Sequence, residues 1–290
     1  MTAPEIDWAV ARRIGSWAGG ALPAVTRREA IEEVASLRLA AARARGLVER
    51  QFGPPGPSYD VRVVDRAGWQ RAAATMVDRI AAAMDLRRRP PGRLTSARGV
   101  LGGLVAGAGL GIAGRLLLGQ YDPLGRTLYL VAPTILAVRR RHGIAAPDFH
   151  LWVCLHEQTH AAQFAAAPWL EAHFVAQLEQ VSRGKRVDDA LALMTFLEGH
   201  ADLITDRAAQ RRVSSLPMLR AAFRRRPGPA RRGLLGTLDK AAQYRDGLAF
   251  CRAATRRRRR ALDAAFEDPA NLPSLDEIAD PAAWVARVHG

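Results

Sequence analysis

Apolar residues recur at helical spacing along most of the chain, so the pattern predicts a mainly helical protein. Residues 4–52 read as helix. Thr26 can cap a segment whose Ile31, Val34, Leu37, Leu39 and Ala41 fall at roughly helical intervals, and the Gly/Pro run at 53–57 ends it. Tyr59–Asp65 and Thr127–Ala132 alternate instead and predict two short strands. Helix is expected over Ala67–Leu86, through the Gly-rich stretch Gly99–Gly114, and from Pro133 to Arg141. The proline- and arginine-rich stretch Arg87–Arg93 reads as a loop. From Pro147 helix continues nearly to Phe266, with breaks near Gly184, at Pro217 and at Pro227-Gly228-Pro229. The tail from Asp268 holds one short helical piece around Trp284. We expect one domain over 1–290: an N-terminal helical part (1–95), a helical core (96–266) and a tail (267–290), with a small β element ahead of the helix at 147.

Composition agrees: 49% of the 290 residues are hydrophobic and only 6% aromatic, which favours helices over a sandwich or barrel. The net charge of +15 raises nucleic acid or an anionic membrane as partners. Two of the 43 basic residues are lysines (Lys185 and Lys240), and arginine with abundant alanine also fits the coding bias of a GC-rich genome. The run Arg256–Arg260 points all round a helix rather than along one stripe, and no helix-turn-helix or zinc-finger pattern accompanies it. Nucleic-acid binding is therefore the weaker expectation. Two cysteines, Cys154 and Cys251, exclude a disulfide framework. Met1–Trp8 carries Glu5 and Asp7 and does not read as a signal peptide. The uncharged run 99–114 falls short of the roughly 20 apolar residues of a membrane span. A cytoplasmic protein without a membrane span is the resulting expectation; the oligomeric state is not legible.

The segment Asp148 to Phe164 carries the chemistry. Asp148, after Pro147, is a natural helix cap. His156 and His160 are four apart, so their imidazoles stack one turn apart on one face and can reach one zinc ion. Glu157 is rotated off that line, where a general base for a metal-activated water belongs. Cys154 faces away and reads as packing. A catalytic zinc takes three protein ligands. Position 166 is Ala, so no third histidine follows at six residues. Glu198 and Asp202, again one turn apart, are the candidates downstream. Two carboxylates on one face repel unless a metal and a histidine relieve them, so we expect Glu198 as third ligand and Asp202 on the far nitrogen of His156. His200, two residues from Glu198, points elsewhere round the helix and is a candidate oxyanion donor; His173 is a weak alternative ligand, and His142 and His150 read as ordinary residues.

His156-Glu157-x-x-His160 followed by Glu198-x-x-x-Asp202 resembles the gluzincin arrangement of thermolysin-like metallopeptidases. The chain more closely resembles an actinobacterial family of uncharacterised zincin-like proteins, zinc-dependent metalloproteases associated with deazaflavin coenzyme biosynthesis. That resemblance runs through Val64-Asp65-Arg66-Ala67-Gly68-Trp69, Leu118-Gly119-Gln120-Tyr121-Asp122, Leu130-Val131-Ala132-Pro133, the histidine helix, Phe196 to Asp202, Gln243-Tyr244-Arg245-Asp246-Gly247 and Asn271-Leu272-Pro273. Where the family carries Tyr after Glu-Gly, this chain has His200. The resemblance implies a mainly helical zincin-like fold and a Zn2+-dependent hydrolase, most simply a metallopeptidase cleaving a peptide or amide. Tyr244, in the family-like motif, is then the favoured oxyanion donor, with His200 and Arg245 as rivals. A zincin scaffold that binds metal without catalysis is the competing expectation.

Overall fold

The computed structural model describes residues 6–52, 58–84, 97–224 and 240–290. It is mainly helical with one small sheet. The stretches at 53–57, 87–93 and 227–229, for which breaks or loops are expected, lie outside the described residues. The chain divides into two compact units, Met1–Ala41 with Ser58–Cys154, and Ala42–Pro57 with Leu155–Gly290.

The first unit contains the sheet, formed by β1 (Asp60–Val64), β2 (Gly119–Asp122) and β3 (Thr127–Val131) in the order β1-β3-β2. β3 is central, parallel to β1 and antiparallel to β2, with Val64 opposite Val131 and Gly119 opposite Leu130. Every residue of β3 is buried, which explains its near-continuous apolar sequence. β2 went unseen in the sequence because Gly-Gln-Tyr-Asp lacks both alternation and β-branched residues; β3 supplies the partner that makes it a strand.

Of the helices in this unit, α1 (Trp8–Ala18) is capped by Asp7 and α2 (Arg27–Phe52) begins in that unit. The helix expected over 4–52 thus breaks at 19–26, where Gly20 has φ +64°. Thr26 does cap α2: its hydroxyl accepts from the Glu29 amide at 3.2 Å, and the Glu29 carboxylate accepts from the Thr26 amide at 2.8 Å. The buried face of α2 in this unit is Glu33, Leu37, Ala40 and Ala41, while Ile31 and Leu39 are exposed. α3 (Arg66–Ala83), capped by Asp65, lays Trp69, Ala73 and Met76 against Tyr129 and Val131 of the sheet. α4 (Ala97–Leu116) is the Gly-rich helix, and α5 (Ala132–His142) follows β3 directly and stops at Gly143, φ +62°.

α6 (Ala146–Ala166) carries both histidine motifs and passes from the first unit into the second after Cys154. It starts two residues before Asp148, so Asp148 sits in the first turn rather than at the cap. Pro147 suits the first turn, with φ preset and no N–H to satisfy. The N-terminal part of α6 is fixed by a buried polar cluster. His150 is fully buried; its Nε2 lies 2.9 Å from Glu33 Oε1, and its Nδ1 lies 2.8 Å from the Ser36 hydroxyl. Arg139 donates twice to Glu33, at 2.7 and 3.2 Å. Burial alone would raise the Glu33 carboxyl, but the bonds from His150 and Arg139 outweigh it and hold it at about 2. His150 is therefore no ordinary surface residue: the sequence reading missed its partners because they sit more than 100 positions away.

The second unit holds the rest of α6, then α7 (Leu170–Ser182), α8 (Val187–Ala209), α9 (Leu216–Arg224), α10 (Lys240–Arg257) and α11–α13 (Ala264–Glu267, Leu275–Ala279, Pro281–His289). Ala167 and Pro168 break the helix expected to run on from 147, and Gly184 (φ +71°) makes the turn into α8. The core is Leu193, Phe196, Leu197, Phe250, Leu262, Phe266 and Trp284. α8 and α10 meet through paired glycines: a Cβ on Gly199 would stand 2.0 Å from the Gly247 carbonyl carbon, and one on Gly247 would stand 2.1 Å from Thr195 O. The glycine after Glu198 and the one ending the Tyr244 motif thus serve one close backbone approach.

Candidate metal centre

Two helices of the second unit supply the site. On α6 the side chains of His156, His160 and Gln163 follow one stripe at i, i+4 and i+7; on α8 Glu198 and Asp202 are one turn apart. The structure brings His156, His160 and Glu198 together. His156 Nε2 lies 3.3 Å from His160 Nε2 and 3.2 Å from Glu198 Oε2, and His160 Nε2 lies 3.6 Å from the same oxygen. A tetrahedral ion bound at about 2.0–2.1 Å sets its ligand atoms about 3.3 Å apart, and the three separations match that spacing. Among the described residues, these three form the group with metal-holding geometry. Their side chains are 13–17% exposed.

The far nitrogens decide what the near ones can do. His160 Nδ1 lies 2.9 Å from Gln163 Oε1, an acceptor, so Nδ1 carries the hydrogen and Nε2 presents a lone pair. The Gln163 amide nitrogen donates to Leu197 O at 2.8 Å, which fixes which end of the amide faces His160. Asp202 Oδ1 lies 3.2 Å from His156 Nδ1, an ion-pair contact outside hydrogen-bond geometry whose charge favours a hydrogen on that nitrogen. Both Nε2 atoms then point lone pairs toward each other and toward a carboxylate oxygen. Without a cation between them this arrangement is repulsive; with one it is satisfied. The protein answers electrostatically: burial disfavours the charged form of His156, but Asp202 and Glu198 outweigh it and raise His156 well above its ordinary value. Glu198 is likewise driven well below the carboxylate range: burial opposes this, and His160 and His156 override it. The donor set of two imidazoles and one carboxylate fits zinc.

Glu157 is buried, and burial pushes its carboxyl above the ordinary value, against the opposing pull of His156 and His160. His200 is not brought to the converging atoms. It is buried, its Nδ1 accepts from the Gln163 amide at 3.2 Å, and it packs on Phe266 and Phe196. Burial, then Arg207 and His160, push it down to about 3, so the ring is neutral. His173 stays apart, 3.3 Å from Gln177 and edge-on to Trp169. Tyr244 belongs to α10, but its side chain and that of Arg245 lie outside the described residues. Asp206 is engaged by Arg220 and Arg252 at 2.8 and 2.5 Å, tying α8 to α9 and α10. Cys154 is buried with Sγ 3.9 Å from Leu37 O, consistent with packing. Gln163 is the residue the sequence reading missed. Its position, three after His160 on the histidine stripe, was the available signal.

The profile of the zincin-like metallopeptidases matches residues 6–192 and 185–285. The chain belongs to that family. It is also similar to a crystal structure from Chloroflexus aurantiacus described as a candidate hydrolase with a novel fold. That structure is 27% identical, covers 97% of this chain and 98% of its own, and superposes with a TM-score of 0.76. No curated protein matches the chain. As a zincin-like protein it is expected to use a metal, usually zinc, and no described helix is long and apolar enough to cross a membrane.

Proposed function

We propose that the protein is a zinc-dependent hydrolase, most simply a metallopeptidase, with His156, His160 and Glu198 as ligands. One observation carries the reading: the two Nε2 atoms and Glu198 Oε2 stand at ligand spacing, while Gln163 and Asp202 occupy the opposite imidazole nitrogens. When bound there, zinc supplies Lewis acidity, polarising a carbonyl and making a water more acidic. Glu157 accepts the proton of the attacking water and delivers it to the leaving nitrogen of a peptide or amide; burial favours the protonated carboxyl needed for that second transfer. Asp202 and Gln163 hold the two imidazoles in their ligating tautomers. His200, held behind Gln163, orients that amide, which leaves the oxyanion donor to Tyr244 or a neighbour.

The test is Glu157→Gln assayed against a peptide and amide library. The expected result is a loss of about 10²–10⁴-fold in turnover with zinc content unchanged. Unchanged turnover in the variant would remove Glu157 from the mechanism, and a zinc-loaded wild type inert to the whole library would favour a metal-binding scaffold.

A further inference from the structure

The first unit contains a helix pair with one side packed on α3 and one side that exposes large apolar residues. α1 and α4 run parallel in near backbone contact. A Cβ on Gly107 would stand 2.4 Å from Ala11 O, and one on Gly111 would stand 2.7 Å from Gly15 O and 2.6 Å from Ala18 Cβ. Such small-residue seams allow close packing without large interlocking side chains. α3 fills one side of the pair: Gly15 of α1 faces Gln70, and Gly114 of α4 faces Trp69. At roughly 100° per residue, the opposite side is where α1 presents Trp17 and α4 presents Leu104, Ile112 and Leu116. All four are exposed, at 82%, 40%, 55% and 50%. Trp17 and Leu116 close the same end of the parallel pair.

The charge around this face has one sign. Beside this face lie Arg13 of α1 and Arg115 of α4, and neither helix holds an acidic residue. Arg115 reaches the end of α1, with its guanidinium 3.3 Å from the Cβ position of Gly20. We infer that this face docks on an anionic phospholipid surface, with Trp17, Ile112 and Leu116 entering the headgroup boundary and the arginines meeting phosphates. The combination of tryptophan, aliphatic residues and a cationic rim suits such a boundary. A second copy of the chain suits it poorly, because symmetric pairing opposes like-charged rims with no carboxylate between them. The attachment is peripheral, since no described helix can span a bilayer.

Co-sedimentation of the full chain with phosphatidylglycerol/phosphatidylcholine vesicles, and with phosphatidylcholine alone, tests this. The wild type is expected to sediment with the anionic vesicles only, with its fluorescence quenched by brominated acyl chains. Trp17→Ala/Ile112→Asp, which touches only exposed positions, should weaken partitioning by about tenfold or more while keeping the wild-type melting curve. Trp17→Phe should bind and lose most of the quenching. Equal partitioning of the double variant and the wild type would overturn the assignment, leaving only general arginine attraction. So would absence of binding to anionic vesicles, with or without dimerisation through the same residues.

Discussion

α6 carries two histidine clusters built on opposite principles. At His150 every partner is complete: Glu33 and Ser36 take the two ring nitrogens, and Arg139 balances the carboxylate. At His156 and His160 the outer nitrogens face Asp202 and Gln163. The inner ones converge on each other and on Glu198 at 3.2–3.6 Å, with no protein group between them. Both clusters are buried or nearly so, and both use a carboxylate. The first is closed and stabilises the fold; the second is open toward one point and needs a cation there to be neutral. Burial of histidine beside glutamate thus does not mark a metal site; the convergence of two imidazole nitrogens and a carboxylate oxygen at ligand spacing does.

The sharpest break of the comparison is Glu33→Ala. It leaves Arg139 and His150 without their carboxylate and should cost about 3–5 kcal/mol, read as a lowered midpoint in urea. The acid response follows from the same group. Because Glu33 is held at about 2 when folded, its contribution is full above the unfolded carboxylate value and is lost as pH falls toward 2. The wild type should therefore lose stability through that window more steeply than the variant. Equal stability of the two at neutral pH would show that the closed cluster is not structural. Next comes Gln163→Ala, which frees the outer nitrogen of His160 and should weaken zinc about 10–100-fold by competition with a chelator. Unchanged affinity would deny Gln163 its place. The smallest effect is expected from Ser36→Ala, which removes one neutral partner of His150, about 1–1.5 kcal/mol, with zinc affinity unchanged.

Much of this was legible in the sequence because the determinants are local. His156, His160, Glu198 and Asp202 are spaced by helical turns, and Thr26 and the alternation at 60–64 are near-neighbour signals. What escaped depends on distant partners. β2 exists because β3 pairs with it. The roles of Glu33 and His150 appear only when α2 and α6 meet. The breaks at 19–26 and 167–169 did carry local signals, Gly19-Gly20 with Pro23 and Pro168, which the helical periodicity on either side masked. Gln163 was visible in position but not in purpose, since its amide is oriented by Leu197 O on another helix.

The central claim is that the open cluster is a metal centre, and metal content by elemental analysis tests it most directly. Wild type and Glu198→Ala would be purified without a histidine tag and offered zinc. The account predicts close to one zinc per wild-type chain, lost or greatly reduced in the variant, with both proteins folded. A folded wild type that binds no zinc, or a variant that binds it as tightly, would contradict it.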